Sequence, residues 1–476
     1  MRPEFAALDA SIEGEVIHPE SPEYESVRRP AWAQYENVRP EAVVRCRTPT
    51  DVAESLAVAR HLDLEVAPRG GGHCFAGRSA TGGLVIDLSA MSSVGESDGI
   101  ATVGAGARLG EIDDRLATDA LALPAGSCPA VGIAGLTLGG GLGILGRTYG
   151  LTSDQLVQAQ VVLADGRVVE CDERREEALF WALRGAGAGQ FGVVTSFWFR
   201  TVPAPDMTCF RLLWPLAKAA DLLEVWQSWA PSAPDELAAS LLLNLPADPE
   251  RPPTATLFGS SLGAKDEAER LLEELVVGAG EDPTSTSIEH LQYTAAKRYL
   301  WEQAPGAEPH GEGLAGDEPR RALAFSKSEF FRRELPREAI AALVDHFAAR
   351  RAPGQARELD FTPWGGAYTR LAPEATAFPH RRERFLLKHA VSLDTDASTE
   401  PQDAARDWLT RSGELVHPWG SGGVFPNFAD PGLTDFATAY YGANRNRLVR
   451  IKAEYDADNL FRSPAHETPA ARLEVK

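Results

Sequence analysis

Apolar positions fall into two textures along this chain. Up to Pro203-Ala204-Pro205, short apolar runs alternate with amphipathic stretches and frequent glycines. Ala42 to Arg45 predicts a strand, and Thr48-Pro49 then opens a helix with proline at a tolerated first-turn position. That helix sets Val52, Leu56, Ala59 and Leu62 on one face. Glu65 to Pro68, Leu84 to Leu88 and Ile100 to Val103 read as further strands, and Arg108 to Ala120 as a helix. Leu156 to Ala164 and Arg167 to Glu170 predict a hairpin, because Asp165-Gly166 between them accommodates the positive φ angles of a tight turn. Gly192 to Phe199 is a β-branched and aromatic strand.

Beyond Pro205 glycine thins out and the elements lengthen. Helices are expected over Leu216 to Trp229, Lys265 to Val277 and Pro336 to Arg350. Strands are expected over Leu237 to Leu245, Thr254 to Ser261 and Phe385 to Leu393. Gln303 to Arg320, rich in Pro, Gly and Glu, reads as a surface loop. Arg445 to Ala453 is a final helix, and no internal repeat is visible. The pattern predicts an α+β protein with residues 1–205 as one domain and 206–435 as a second, followed by a closing segment 436–476.

Length and charge narrow the function classes. The chain has 476 residues, more than one hydrophobic core organises, and its 44% hydrophobic and 24% charged residues are those of a globular protein. A net charge of −21 argues against nucleic acid or an anionic membrane as partner. No apolar run approaches the ~20 residues of a membrane span. The start, Met1 to Glu15, carries acids throughout and lacks an apolar signal region, which makes a cytoplasmic location the expectation. Cys46, Cys74, Cys128, Cys171 and Cys209 are scattered without C-x-x-C spacing, so neither a metal site nor a disulfide framework is expected.

Two glycine clusters carry the chemistry. The first is Arg69-Gly70-Gly71-Gly72-His73, ending at Gly77; the second follows Cys128 with Gly132, Gly135, Gly139, Gly140, Gly141 and Gly143. Clustered glycines let backbone N–H groups converge on an anion such as a pyrophosphate. Flexible turns would explain either cluster alone, but both border apolar β-type sequence. No G-x-x-x-x-G-K-[ST] occurs, and the second cluster lacks the setting of a nicotinamide-binding fingerprint. A dinucleotide is therefore expected, its kind left open by glycine alone.

The run Ala67-Pro68-Arg69-Gly70-Gly71-Gly72-His73-Cys74-Phe75-Ala76-Gly77 resembles the histidine-attachment loop of berberine-bridge-enzyme-like oxidoreductases, within the vanillyl-alcohol-oxidase (PCMH-type FAD-binding) superfamily. Leu123-Pro124-Ala125-Gly126-Ser127-Cys128-Pro129-Ala130-Val131-Gly132 is similar to their second attachment loop. Gly139 to Gly143, Tyr149 to Asp154, Phe191 to Ser196, Gly365-Gly366-Ala367, Ala375 to Arg381, Tyr440 to Asn444 and Tyr455 to Phe461 follow in family order. The resemblance covers almost the whole chain.

It implies a PCMH-type FAD domain, joined by the C-terminal segment, and a substrate domain built on an antiparallel sheet backed by helices. It implies FAD bound covalently through both His73, at the flavin 8α carbon, and Cys128, at ring carbon C6. Cofactor contacts are expected from Arg69, Gly70, Gly71, Gly72, Gly77, Ser79, Gly126, Ser127, Val131, Gly132 and Gly135. Further contacts are expected from Gly139, Gly140, Gly141, Gly143, Tyr149, Asp154, Gly192, Val193, Val194, Tyr441 and Asn444. In this family the place of Val131 lies near the carbon that meets dioxygen, and valine there goes with oxidases. The tyrosine that family members place two residues before an asparagine is Phe425 here, which cannot ionise; Tyr149 and His389 are the remaining proton-acceptor candidates. Phe75, Trp364, Tyr368 and Phe425 are candidates for the substrate pocket, with buried packing an equal reading. The implied reaction is oxidation of an alcohol, sugar, phenol or amine by hydride transfer to the flavin, with O₂ reduced to H₂O₂. A dehydrogenase using another acceptor, or a flavin-fold protein without activity, are the alternatives. Substrate and oligomeric state stay open.

Overall fold

The computed structural model describes residues 2–187, 189–303, 322–350 and 354–462; the expected loop after Gln303 lies outside them. Its first sheet has four strands, with Ala42–Arg45, Leu84–Asp87 and Val66–Arg69 in parallel and Glu15–Ile17 added antiparallel at one edge. Val43, Val44, Val85 and Ile86 are wholly buried, as the continuous apolar runs of a parallel sheet require. The crossover helix Pro49–His61 starts on a reciprocal cap: Thr48 Oγ1 accepts from the Asp51 amide at 3.2 Å, and Asp51 accepts from the Thr48 amide at 3.3 Å.

A five-stranded antiparallel sheet follows, ordered Val94–Ser97, Ile100–Gly104, Val193–Arg200, Leu156–Val162 and Val168–Cys171. Both sheets and the helix Leu109–Ala117 contribute to one core. Leu448 and Ile451, on the helix Arg445–Tyr455, and the later Leu460 and Phe461 also pack into it.

The other half of the molecule is a seven-stranded antiparallel sheet. Its order is Ser285–Leu291, Met207–Pro215, Thr254–Ser261, Leu237–Leu245, Gln355–Pro363, Phe385–Leu393 and Leu323–Phe331. One face is apolar and is covered by the helices Ala219–Ser232, Arg337–Ala348 and Thr399–Val416, with Leu241, Leu243, Leu359, Phe361, Phe385 and Leu387 in the shared core. The opposite face carries the alternate residues, many of them polar.

The edge strand Leu323–Phe331 is met by pieces of chain that are not strands. Gln34 donates from Nε2 to the Ala324 carbonyl at 2.6 Å and accepts from the Ala324 amide at 3.2 Å. Farther along, the Phe330 amide donates to Gly423 O at 2.8 Å and the Phe330 carbonyl accepts from Ser421 N at 2.7 Å.

Candidate active site

The Val66–Arg69 strand ends in the first glycine loop. Arg69 does not project from it: its guanidinium donates to Asp87 at 3.2 Å and to Arg28 O at 3.1 Å, forming a buried strut under the loop. A Cβ on Gly71 would clash with the Gly132 backbone, and one on Gly132 with the Gly71 backbone, both well inside 3.0 Å. Gly70 likewise lies against the Ala105 carbonyl. The loops bearing His73 and Cys128 are thus pressed together main chain to main chain. Gly77 is packed against the Tyr35 ring, and Tyr35 Oη donates to Phe75 O at 2.7 Å.

His73 is half-buried, and Trp32 Nε1 donates to its carbonyl at 3.1 Å. Burial, with a smaller push from the Arg108 guanidinium, lowers its imidazole to about 4. The ring is therefore neutral near pH 7, with a lone pair to offer. Cys128 is half-buried as well; burial pushes its thiol up, and hydrogen bonds from the Ala130 and Val131 amides oppose that rise. The Cys128 turn is stitched to the helix Leu109–Ala117 and the residues just before it: Gly110 N donates to Pro129 O, Leu109 N to Val131 O, and Ile133 N to Ala107 O, each at 3.0 Å. Ser127 and Gly126 lie half-buried in this turn, and Val131 packs its side chain on the first core.

The helix Ile133–Leu138 leads into Gly139, Gly140 and Gly141. Gly140 and Gly141 have φ of +112° and +79°, which admit glycine and penalise other residues. Asn427 clasps this run, accepting from Gly141 N at 3.0 Å and donating to Gly135 O at 2.9 Å. Gly139 is closed over by the same asparagine, and Gly143 by the Ala125 carbonyl. Gly192, Val193 and Val194 are buried where the Val193–Arg200 strand begins. Ser79 Oγ, Thr137 Oγ1 and Ser153 Oγ are buried with no hydrogen-bond partner among the described residues. Such hydroxyls are costly unless a further group meets them. Glycines that let these loops close tightly on one another, and buried hydroxyls to spare, fit a bound dinucleotide.

Facing these loops is the polar side of the wide sheet. In register, Asp360 lies opposite Lys388. Lys388 Nζ stands 3.7 Å from the Glu358 carboxylate and 5.2 Å from the Phe428 ring centre. Thr362 Oγ1 donates to Asp360 at 3.4 Å. Burial raises both carboxyls above their ordinary values, with Lys388 pulling each back. A line of rings connects this cluster to His73: Phe428 meets Phe75 edge-on at 6.3 Å, and Phe75 stacks on Trp32 at 4.7 Å. Glu358, Asp360, Lys388 and Asn427 escape a reading of the sequence alone. The alternation Glu358-Leu359-Asp360-Phe361-Thr362 was the available signal.

Several expectations are corrected here. His389 lies on the helix side of the sheet, wholly buried, with Nδ1 2.8 Å from Ser412 Oγ on the helix Thr399–Val416. It turns away from the glycine loops and is not placed to take a substrate proton. Trp364, Tyr368 and Phe425 belong to a closed aromatic cluster with Phe330 and Phe378. Trp364 Nε1 donates to His380 O and Tyr368 Oη to Gly143 O, each at 3.0 Å, so they brace the loop instead of opening a pocket. Asp154 is occupied by Arg381, which reaches its two oxygens at 2.7 and 2.8 Å. Asn444 Nδ2 donates to Pro373 O at 2.8 Å and to Thr376 O at 3.1 Å. Tyr441 Oη donates to Ala186 O at 2.7 Å and accepts from Gln190. The Tyr149 ring packs on a cluster containing Leu145, Met207 and Tyr293.

Residues 40–172 match the model of an FAD binding domain, and residues 424–465 match that of the berberine and berberine-like family. The chain is 32% identical to the FAD-linked oxidoreductase YvdP of Bacillus subtilis, over 96% of this chain and 99% of that one. Among solved structures it is similar to BBE-like 1 from Physcomitrella patens, with TM-score 0.87 and 26% identity over 97% of this chain and 98% of that one. It is also similar to a glucooligosaccharide oxidase from Acremonium strictum described with a 6-S-cysteinyl, 8α-N1-histidyl FAD, with TM-score 0.85 and 25% identity over 97% and 98% of the two chains. Two flavin-type loops joined at paired glycines, a polar sheet face opposite them, and likeness along nearly the full length place this chain among the berberine-bridge-enzyme-like FAD-linked oxidoreductases.

Proposed function

We propose that the chain holds FAD by two covalent bonds, through His73 and Cys128, and oxidises a small alcohol, sugar, phenol or amine with O₂ reduced to H₂O₂. The observation that carries this reading is the contact of Gly71 with Gly132, which brings the two attachment loops together beneath the polar sheet face. When bound, FAD supplies the two-electron acceptor. His73 offers a neutral nitrogen, and the amides of Ala130 and Val131 partly offset the burial that raises the Cys128 thiol. The doubly linked flavin described for the glucooligosaccharide oxidase supports the same assignment. Val131, half-buried beside Cys128, supports an oxidase over a dehydrogenase.

The proton acceptor in this reading is Asp360. Phe425 cannot ionise, and His389 faces the helices. Asp360 lies on the sheet face toward the loops, and burial brings its carboxyl closer to the working pH, where a general base is most effective. Lys388 and Glu358, held together beside it, orient polar groups of the substrate.

The test is acid precipitation of purified protein followed by intact mass. Yellow colour retained in the pellet, with a mass raised by one FAD, is the expected result. Flavin washed into the supernatant would overturn the covalent reading. Single variants His73→Ala and Cys128→Ala should each keep one link. With a substrate found by peroxide detection across a sugar, alcohol and amine panel, Asp360→Asn should slow anaerobic flavin reduction by about 10²–10⁴-fold. An unchanged rate would remove Asp360 from this role.

A further inference from the structure

Behind the Cys128 turn, on the side away from the polar sheet face, lies a buried ion pair that the reaction does not use. Lys297, on the helix Tyr293–Gln303, is only 4% exposed, and its Nζ stands 2.6 Å from Asp113 Oδ2 on the helix Leu109–Ala117. Burial pushes the Asp113 carboxyl up and Lys297 holds it down, so the pair depends on both members. A buried ion pair is weak evidence for stability and calls for another reason.

Its surroundings supply one. The helix Tyr293–Gln303 follows the strand Ser285–Leu291 and so belongs to the wide-sheet half, yet it holds the Cys128 segment directly on one side and, through Asp113, by way of the helix Leu109–Ala117 on the other. Upstream, the buried Tyr293 donates from Oη to the Leu123 carbonyl at 3.2 Å, five residues before Cys128. The Lys297 ammonium lies 5.6 Å from the centre of that Tyr293 ring. Downstream, the helix that carries Asp113 holds Pro129 O and Val131 O through the amides of Gly110 and Leu109. Burial raises the Cys128 thiol, and the Lys297 charge opposes that rise less than the two amides of its own turn do.

We propose that Lys297, fixed by Asp113 and stacked near Tyr293, is a positioning residue that readies Cys128 for its bond to the flavin, so that the second link forms only after the helix Tyr293–Gln303 has docked. This rests on the doubly linked reading above. The Cys128 thiolate supplies the electron pair of the new S–C6 bond, and the C6 hydrogen leaves as a proton. The two electrons left on the ring pass to dioxygen. One thiol hydrogen and one ring hydrogen thus appear in H₂O₂, and the oxidised ring is regenerated with sulfur attached. Lys297 takes no proton in this sequence; through Asp113 it fixes the helix whose first amides hold the turn that carries Cys128.

The experiment is a time course of link formation in cell-free translation with FAD added, read by tryptic digestion and mass spectrometry of the flavin peptides. Wild-type protein should progress from the His73 peptide alone to a flavin bridging the His73 and Cys128 peptides. Lys297→Met should form the histidyl bond at the wild-type rate but the bridged species at least tenfold more slowly, leaving a Cys128 thiol that iodoacetamide traps. Lys297→Arg should restore most of the bridged product. Bridging at the wild-type rate in Lys297→Met would overturn the proposal. If Lys297→Met does not fold, Tyr293→Phe decides: slower bridging with a normal histidyl bond supports the clamp, and unchanged bridging overturns it. Wild-type protein that never bridges would sink the doubly linked reading itself and this inference with it, an outcome separate from a variant that bridges normally.

Discussion

Gly71 and Gly132 touch through their backbones, each occupying the space that a side chain on the other would need. His73 is two residues beyond one and Cys128 four residues before the other. The separation of the two loops is therefore set by main-chain contact, the least compressible spacer available.

Gly71→Ala and Gly132→Ala should each force the loops apart. Overpacking of this kind costs about 1–3 kcal/mol, visible as a lowered urea midpoint with unchanged slope. Gly135→Ala is the control, because a Cβ there meets nothing within 4 Å. Equal behaviour of Gly132→Ala and Gly135→Ala would disprove the contact.

Arg381 and Asp154 form a buried two-pronged pair whose side chains are 0% and 8% exposed, joining segments 227 residues apart. Removing one member of such a pair strands a charge and costs about 3–5 kcal/mol. Arg381→Met is expected to lose that much, and Arg381→Met with Asp154→Leu to recover part of it. A double variant as unstable as the sum of its singles would show that the two do not interact.

Acid should loosen the fold well before its carboxylates are titrated. Burial lowers His380 and His389 to about 3, from an ordinary value of 6.5. A lowered folded value means the unfolded chain binds the proton more readily. Stability from these groups is full above pH 6.5 and falls as pH drops toward 3. Each contributes a slope of up to about 1.4 kcal/mol per pH unit. Urea melts at pH 7, 6 and 5 should show the decline, and His389→Gln should flatten it by one proton. Constant stability across that interval would contradict the burial of neutral imidazoles.

The parts of this protein legible in its sequence share one property: their information is local. Leu237–Leu245, Thr254–Ser261 and Phe385–Leu393 match their expected bounds because each is a long apolar or alternating run with clear breaks. Gln355–Pro363 hides because Arg357 occupies a core-facing place, its guanidinium lying over Trp408 and bonded to Phe347 O and Ala349 O. Alternation separates His389 from Lys388 but does not say which one meets the helices; Ser412 settles that from a distant helix. The glycine loops declare themselves, whereas Asn427 reaches them from 286 residues away and leaves no local trace. Trp364 and Tyr368 show the reverse limit, since aromatic residues near a site pattern look the same whether they line a cavity or wall it off.

Gln34 gives the wide sheet its ending. With one carboxamide it offers Ala324 both a donor and an acceptor, imitating a single residue of a neighbouring strand. Ser421 and Gly423 do the same for Phe330 at the far end. An open strand edge is a template on which another chain can crystallise into fibrils. These false neighbours saturate that template at both ends, so the last strand can run for nine residues without inviting a copy of itself to extend the sheet.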